Sequence, residues 1–227
     1  LKPDYADAYI RLGLILKDLD RFTEAKFFTE KAIDINPNDV KPHMNLSNIL
    51  REMGNLKEAE KFARKAIKLE PNHEKSWISL IDYFLKSETL LKAQYFVKKS
   101  LKSNADSREL WKRSAEIHFK MNLFEEAVAS GQTSNELGNY DFKTWIIWMD
   151  ALMNLREWGA ALKTCQLALQ YFNNQSAILF RLAGCKMRLG KKEEATNIFN
   201  KIKSNFKIPD GFNKLFPELV NIPDGGI

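Results

Sequence analysis

Apolar and small residues return along the chain at helical spacing, in short segments parted by polar breaks. The stretch 40–53 (VKPHMNLSNILREM) reads as one helix, with Pro42 in its first turn, where a missing N–H costs little. "GN" at 54–55 breaks it, and 56–69 (LKEAEKFARKAIKL) reads as a second helix. In that second helix, apolar or small residues fall at 59, 62, 63, 66, 67 and 69, a spacing that gathers them on one face. Alternating β-branched runs are absent, and Gly (10) and Pro (7) sit mostly in short punctuating clusters, so the pattern predicts an all-α chain.

The two-helix pattern repeats. Ala25, Ala59, Ala93, Ala127, Ala161 and Ala195 follow one another at intervals of 34 residues. A second column in the same register holds Tyr9, His43, Trp77, Trp111, Trp145 and Leu179, and a third holds Ala32, Ala66, Ser100, Ser134, Ala168 and Ile202. Pro37 and Pro71 close the first two units. The register divides the chain into residues 1–5, the end of a preceding repeat; six units at 6–39, 40–73, 74–107, 108–141, 142–175 and 176–209; and a 210–227 capping helix or tail. Asn38 or Asp39, Asp106 or Ser107, and Asp141 are placed to cap first helices. The small columns have a packing reason: helices approach closely only where the side chains between them are short. One helix pair cannot bury both its faces and must stack on the next.

These columns resemble the tetratricopeptide repeat, over residues 6–209. "YADAYIRLGLILKDLDRFTEAKFFTEKAIDINPND" and "VKPHMNLSNILREMGNLKEAEKFARKAIKLEPN" lie close to the consensus. The resemblance implies a right-handed superhelical solenoid of six antiparallel helix pairs. Units three to five depart from the pattern. Ile81 and Met149 stand where a small residue is usual, and Ser114 and Trp148 where leucine is usual. Looser or tilted packing is expected there, compensated by Trp111, Trp145, Trp148 and Trp158. Lys186 and Lys192 in unit six read as the polar departure of an array end. "LKPD" at the start aligns with "INPN" and "LEPN" and predicts a further repeat upstream. In "GFNKLFPELV", Pro217 argues against a full seventh first helix. A short cap laying Phe212, Leu215, Phe216 and Leu219 on the last pair is expected, the alternative being a free arm.

Composition narrows the classes. Hydrophobic residues at 44% and aromatics at 11% suffice for a real core. No apolar run is long enough to span a bilayer, and no signal segment opens the chain. Two cysteines, Cys165 and Cys185, make no disulfide framework, so a reduced, cytoplasmic protein is expected. The net charge of +6 is concentrated in 41–105 and 176–227. Lys57, Lys61, Arg64, Lys65 and Lys68 read as the wet side of one helix, which argues against nucleic acid as a partner.

The residues that could carry chemistry do not converge. His43, His73 and His118 lie in separate units without ligand spacing. Cys165 and Cys185 fall on neighbouring helices and read as inert, part-buried thiols. "GCKMRLGKK" at 184–192 has one residue too many between its glycines for a phosphate loop, and no Ser or Thr follows Lys191. "NLS" and "NQS" are glycosylation triplets by letter only. No catalytic, metal or cofactor site is expected.

What remains is surface. The resemblance implies that first helices line a concave groove, formed by Asp7, Ile10, Arg11 and Leu14 in unit one and Lys41, Met44, Asn45 and Asn48 in unit two. Units three and four supply Lys75, Ile78, Ser79, Asp82, Glu109, Lys112, Arg113 and Glu116. Units five and six supply Lys143, Ile146, Ile147, Asp150, Ala177, Phe180 and Arg181. Mixed charge around apolar anchors suits a peptide or protein partner. The two-carboxylate clamp of chaperone-binding relatives is present only in fragments (Asn45 with Lys75, or Asn48 with Arg113), and an asparagine ladder does not extend beyond Asn45 and Asn48. The expected function is a non-catalytic protein–protein interaction scaffold. "KPDYADAY…LKDL" is also similar to bacterial, notably cyanobacterial, arrays fused to a sulfotransferase or glycosyltransferase domain. The alternative is therefore a substrate-recruiting arm of a larger enzyme.

Overall fold

The computed structural model describes residues 3–138, 141–173, 175–203, 206 and 216–220. Among these there are thirteen helices and no strand. Contacts divide the chain within one helix, between Arg113 and Ser114, into two compact units.

The first unit holds α1 (Pro3–Asp18), α2 (Phe22–Ile35), α3 (Val40–Glu52), α4 (Leu56–Leu69), α5 (Glu74–Lys86), α6 (Leu90–Leu101) and the start of α7 (Arg108–Lys120). From α1 to α6 successive helices pack on one another, α1 also touches α3, and α3 touches α5, so the first helices of these pairs lie side by side. The second unit holds the rest of α7, then α8 (Phe124–Glu136), α9 (Phe142–Asn154), α10 (Trp158–Tyr171), α11 (Ser176–Arg188), α12 (Lys192–Lys203) and the short α13 (Pro217–Val220). There α9 and α11 are the first helices in contact.

The alanine column from Ala25 to Ala195 has no exposed surface at any of its six positions. The third column is buried throughout, from Ala32 to Ile202. Ile81 and Met149 are both fully buried, so neither unit is loosened at these sites. Met149 has room because a small residue faces it, with the Cys165 Sγ–H on the Met149 sulfur at 3.3 Å. Trp145 and Trp148 fill the adjoining space, their rings 5.4 Å apart.

The turn after each first helix is also periodic. Asp20, Gly54, Glu88, Asn122, Arg156 and Gly190 occupy one column and all take a positive φ, between 55° and 80°. A left-handed residue closes an α-helix and turns the chain back, which is why glycine is favoured there. Four of the six turns hold the conformation without it.

Candidate functional site

Three of the first helices, α3, α7 and α9, are set by local capping. Asp39 accepts a hydrogen bond from the Lys41 N–H at 2.9 Å, Ser107 Oγ from the Leu110 N–H at 3.1 Å, and Asp141 from the Thr144 N–H at 3.0 Å. In three of the repeats the second column then ties the first helix to the turn before it. The Trp77 indole donates to the Pro71 carbonyl (2.6 Å), and the Trp111 indole to the Ala105 carbonyl (2.7 Å). His43 Nε2 makes the same bond to Pro37, also six residues back, at 2.7 Å. A carbonyl only accepts, so His43 carries its proton on Nε2, and its buried Nδ1 has no partner.

With the helices fixed, one column on a first helix meets another on the next. In the first unit, the Ser79 hydroxyl donates to Asn48 Oδ1 (2.9 Å). One repeat later, Arg113 reaches Asp82 through Nε (3.1 Å) and Nη2 (3.3 Å) while its Nη1 donates to Glu109 (2.5 Å). In the second unit, Arg181 clamps Asp150 with two 2.6 Å bonds and donates a third to the Ala177 carbonyl. Glu116 takes Lys143 at 2.9 Å and Lys120 at 3.6 Å. These pairs form a polar ladder that joins pair to pair within each unit.

The ladder decides what the groove residues can offer. Asn45, Ser79, Ile10, Ile147, Phe180 and Arg181 are buried, which corrects their placement on an open face. They sit between neighbouring helices and take part in stacking. Asn48, Asp82, Arg113, Glu116 and Asp150 are half-buried and engaged with one another or with neighbours in the ladder. Lys112 is half-buried, and Lys143 is exposed although paired. Ile146 packs partly into the cluster around Trp145. Lys41 and Lys75 are exposed, and neither ammonium has an ion-pair partner among the described residues. Met44 and Ile78, each one turn along from a lysine, are half-buried. On α3 and α5 the first unit thus presents two free cations alternating with two apolar side chains.

Among the described residues, no group of three His, Cys, Asp or Glu side chains could hold a metal ion. His73 Nδ1 pairs with the Ser76 hydroxyl. His118 lies against Ser114 and Ser130 at 3.3 Å, and burial holds its pKa below the usual histidine value. Cys165 is buried, and the neighbouring Cys185 thiol together with burial pushes its own thiol well above the ordinary range, which suppresses the reactive thiolate. The 184–192 stretch runs along α11 and into the turn after it, with no preceding strand. The five basic residues at 57, 61, 64, 65 and 68 are all exposed on α4. No helix among the described residues is long and apolar enough to cross a membrane.

Two participants escape a reading by groove columns. Arg51 reaches Asp82 at 3.9 Å from the neighbouring first helix. Gly184 stands in the column of Asn48, Asp82, Glu116 and Asp150, and it faces Phe216. The register alone locates that substitution, but its consequence needs the fold. The cap expected from Phe216 and Leu219 is present, both residues fully buried, while Phe212 and Leu215 lie outside the described residues.

Three stretches match tetratricopeptide repeat family models, residues 6–39, 40–73 and 177–207. No curated protein sequence matches the chain. Among solved structures it is similar to PilF of Pseudomonas aeruginosa, with 16% identity over 95% of this chain and 98% of that one, at a TM-score of 0.78. It is also similar to YrrB, described as a TPR protein with an unusual peptide-binding site, with 18% identity over 85% and 94% of the two chains and a TM-score of 0.67. A thermophilic TPR protein of Thermus thermophilus matches at 16% identity over 80% and 99%, with a TM-score of 0.59. The helix pairs, the recurring columns and the matched stretches agree, and the chain is a tetratricopeptide-repeat protein with the all-α fold of that family.

Proposed function

We propose that the protein is a non-catalytic interaction scaffold whose first helices hold a peptide or protein segment. The observation that carries this reading is the division of labour on the first helices of the first unit. Asp82 and Asn48 are tied up in the inter-repeat ladder, whereas the Lys41 and Lys75 ammoniums are exposed and unpaired beside Met44 and Ile78. Structural polar groups bond each other, and on α3 and α5 the free groups, Lys41 and Lys75, are both positive. An acidic segment with apolar side chains suits that surface, its carboxylates meeting the lysines and its anchors the half-buried Met and Ile. The likeness in fold to a peptide-binding TPR protein supports the same class of partner.

The test is capture of partners from a native extract by the wild-type chain and by a Lys41→Glu, Lys75→Glu double variant. The expected result is loss of the specifically retained proteins with an unchanged helical circular-dichroism spectrum. An identical retained set on both chains would overturn the reading.

A further inference from the structure

We propose that the face of α10–α12 around Gly184 is a second peptide-binding site, and that the chain's own Phe216-Pro217-Glu218-Leu219 is its resident occupant. The partner it fits is a short segment with an aromatic residue, a carboxylate two positions later and an aliphatic residue at the third.

The seat is shaped for the aromatic ring. A Cβ added at Gly184 would lie 2.5 Å from both Cε2 and Cζ of Phe216. This is the register position at which earlier repeats carry Asn48, Asp82, Glu116 and Asp150 as ladder acceptors. In the last pair the acceptor is gone, and a phenyl ring occupies the space. Phe216 and Leu219 are wholly buried there, among Phe180, Cys185 and Phe199. Trp158 meets Phe216 edge-on at 5.8 Å. Arg188 lies over both rings, 5.6 Å from Phe216 and 5.9 Å from Trp158, and pairs with Glu218 at 2.9 Å. The ion pair is partly exposed, so it sets register more than affinity.

The occupant behaves as a ligand. α13 is a four-residue helix, and a helix that short has no stability of its own because nucleation alone outweighs its few bonds. Its conformation is supplied by the seat, as in coupled folding and binding. Tethering gives the resident segment a high effective concentration, so a competitor must match its chemistry to displace it.

The experiment uses the full chain with the seat emptied by Phe216→Ser and Leu219→Ser, and a fluorescein-labelled peptide of residues 212–222 read by anisotropy. The peptide should bind the emptied chain saturably and at least tenfold more tightly than the wild-type chain. Adding Gly184→Ala to the emptied chain should remove binding. A peptide with Glu218→Lys should bind at least threefold more weakly, and Arg188→Glu in the emptied chain should restore it. An emptied chain that keeps its helical spectrum but binds no better than wild type would overturn the proposal, as would binding untouched by Gly184→Ala. Loss of the helical spectrum on emptying would also overturn it, since the segment would then be an integral part of the fold. None of these readouts involves Lys41 or Lys75, so this site and the first-helix surface stand or fall separately.

Discussion

Arg181 and Asp150 form a two-pronged ion pair between α11 and α9, both bonds 2.6 Å long, and Arg113 and Asp82 repeat it between α7 and α5 with longer bonds. The two pairs stand two repeat lengths apart in the same columns. Hydrophobic stacking is non-directional and would tolerate a slipped neighbour, whereas a planar fork on a carboxylate fixes one register. We read the ladder as the device that sets how one pair sits on the next.

Breaking the tighter rung should therefore cost more. Arg181 and Asp150 side chains are 10% and 22% exposed, against 19% and 27% for Arg113 and Asp82. Arg181→Ala leaves a part-buried carboxylate unpaired and should destabilise by about 2–4 kcal/mol. Arg113→Ala should lose less, about 1–2 kcal/mol. Urea titrations of each, and of the Arg181→Ala, Asp150→Ala double variant, check this. The double variant should be less destabilised than the two singles predict together.

The left-handed column gives stabilising variants. Glu88 and Arg156 hold φ at 55° and 61°, where a Cβ is strained. Glu88→Gly and Arg156→Gly should each raise stability by about 0.5–1 kcal/mol, the relieved strain exceeding the added unfolded-state entropy. The same change at Asp20 should gain less, because aspartate tolerates this region. Thermal melts of the single variants test the order.

The fold was legible in the sequence because stacking imposes a period on it. The helix over 56–69, the one over 40–53 to within a residue, and the closed alanine column follow from spacing, and residue type narrows the caps to pairs from which the structure takes Asp39 and Ser107, and to Asp141. The candidate first-helix surface was legible only as a set of columns. Spacing names the face a residue is on, but not how far the next pair overlaps it, and that overlap buries Asn45 and Ser79 while leaving Lys41 and Lys75 in water. The left-handed turn was hidden because four of its residues are not glycine. The compensation of Met149 by Cys165 was hidden because it pairs positions on different helices.

One buried and one half-buried histidine, His43 and His118, predict an acid limit to stability. Burial lowers the pKa of both His43 and His118, so the folded state favours their neutral forms. Between the lowered folded values and the ordinary unfolded value of about 6.5, the unfolded chain binds more protons. Stability from these groups is then complete above about pH 6.5 and is lost as pH falls below it. Protonating His43 would put an N–H on the unpartnered Nδ1. Urea midpoints measured from pH 7.5 to 5 should fall, and His43→Leu should flatten part of the slope even though it loses the bond to Pro37.

Gly13 and Thr29 offer a clean test of paired packing in the first unit. A Cβ on Gly13 would lie 2.5 Å from Thr29 Oγ1 and 3.3 Å from the Ala25 carbonyl, and that hydroxyl is itself held on the same carbonyl at 2.7 Å. Gly13→Ala alone should therefore destabilise by about 1–3 kcal/mol through overpacking, despite alanine's better helix propensity. Once Thr29→Ala removes the hydroxyl, the added methyl meets only the carbonyl and, in ordinary van der Waals contact at 3.7 Å, the Cβ of residue 29, and the propensity gain of about 1 kcal/mol should emerge. In the Thr29→Ala background Gly13→Ala should then be neutral or stabilising, a reversal of sign that distance-independent effects cannot produce. Urea denaturation of the four proteins measures the coupling directly. Equal effects of Gly13→Ala in both backgrounds would show that α1 and α2 have slack at this crossing.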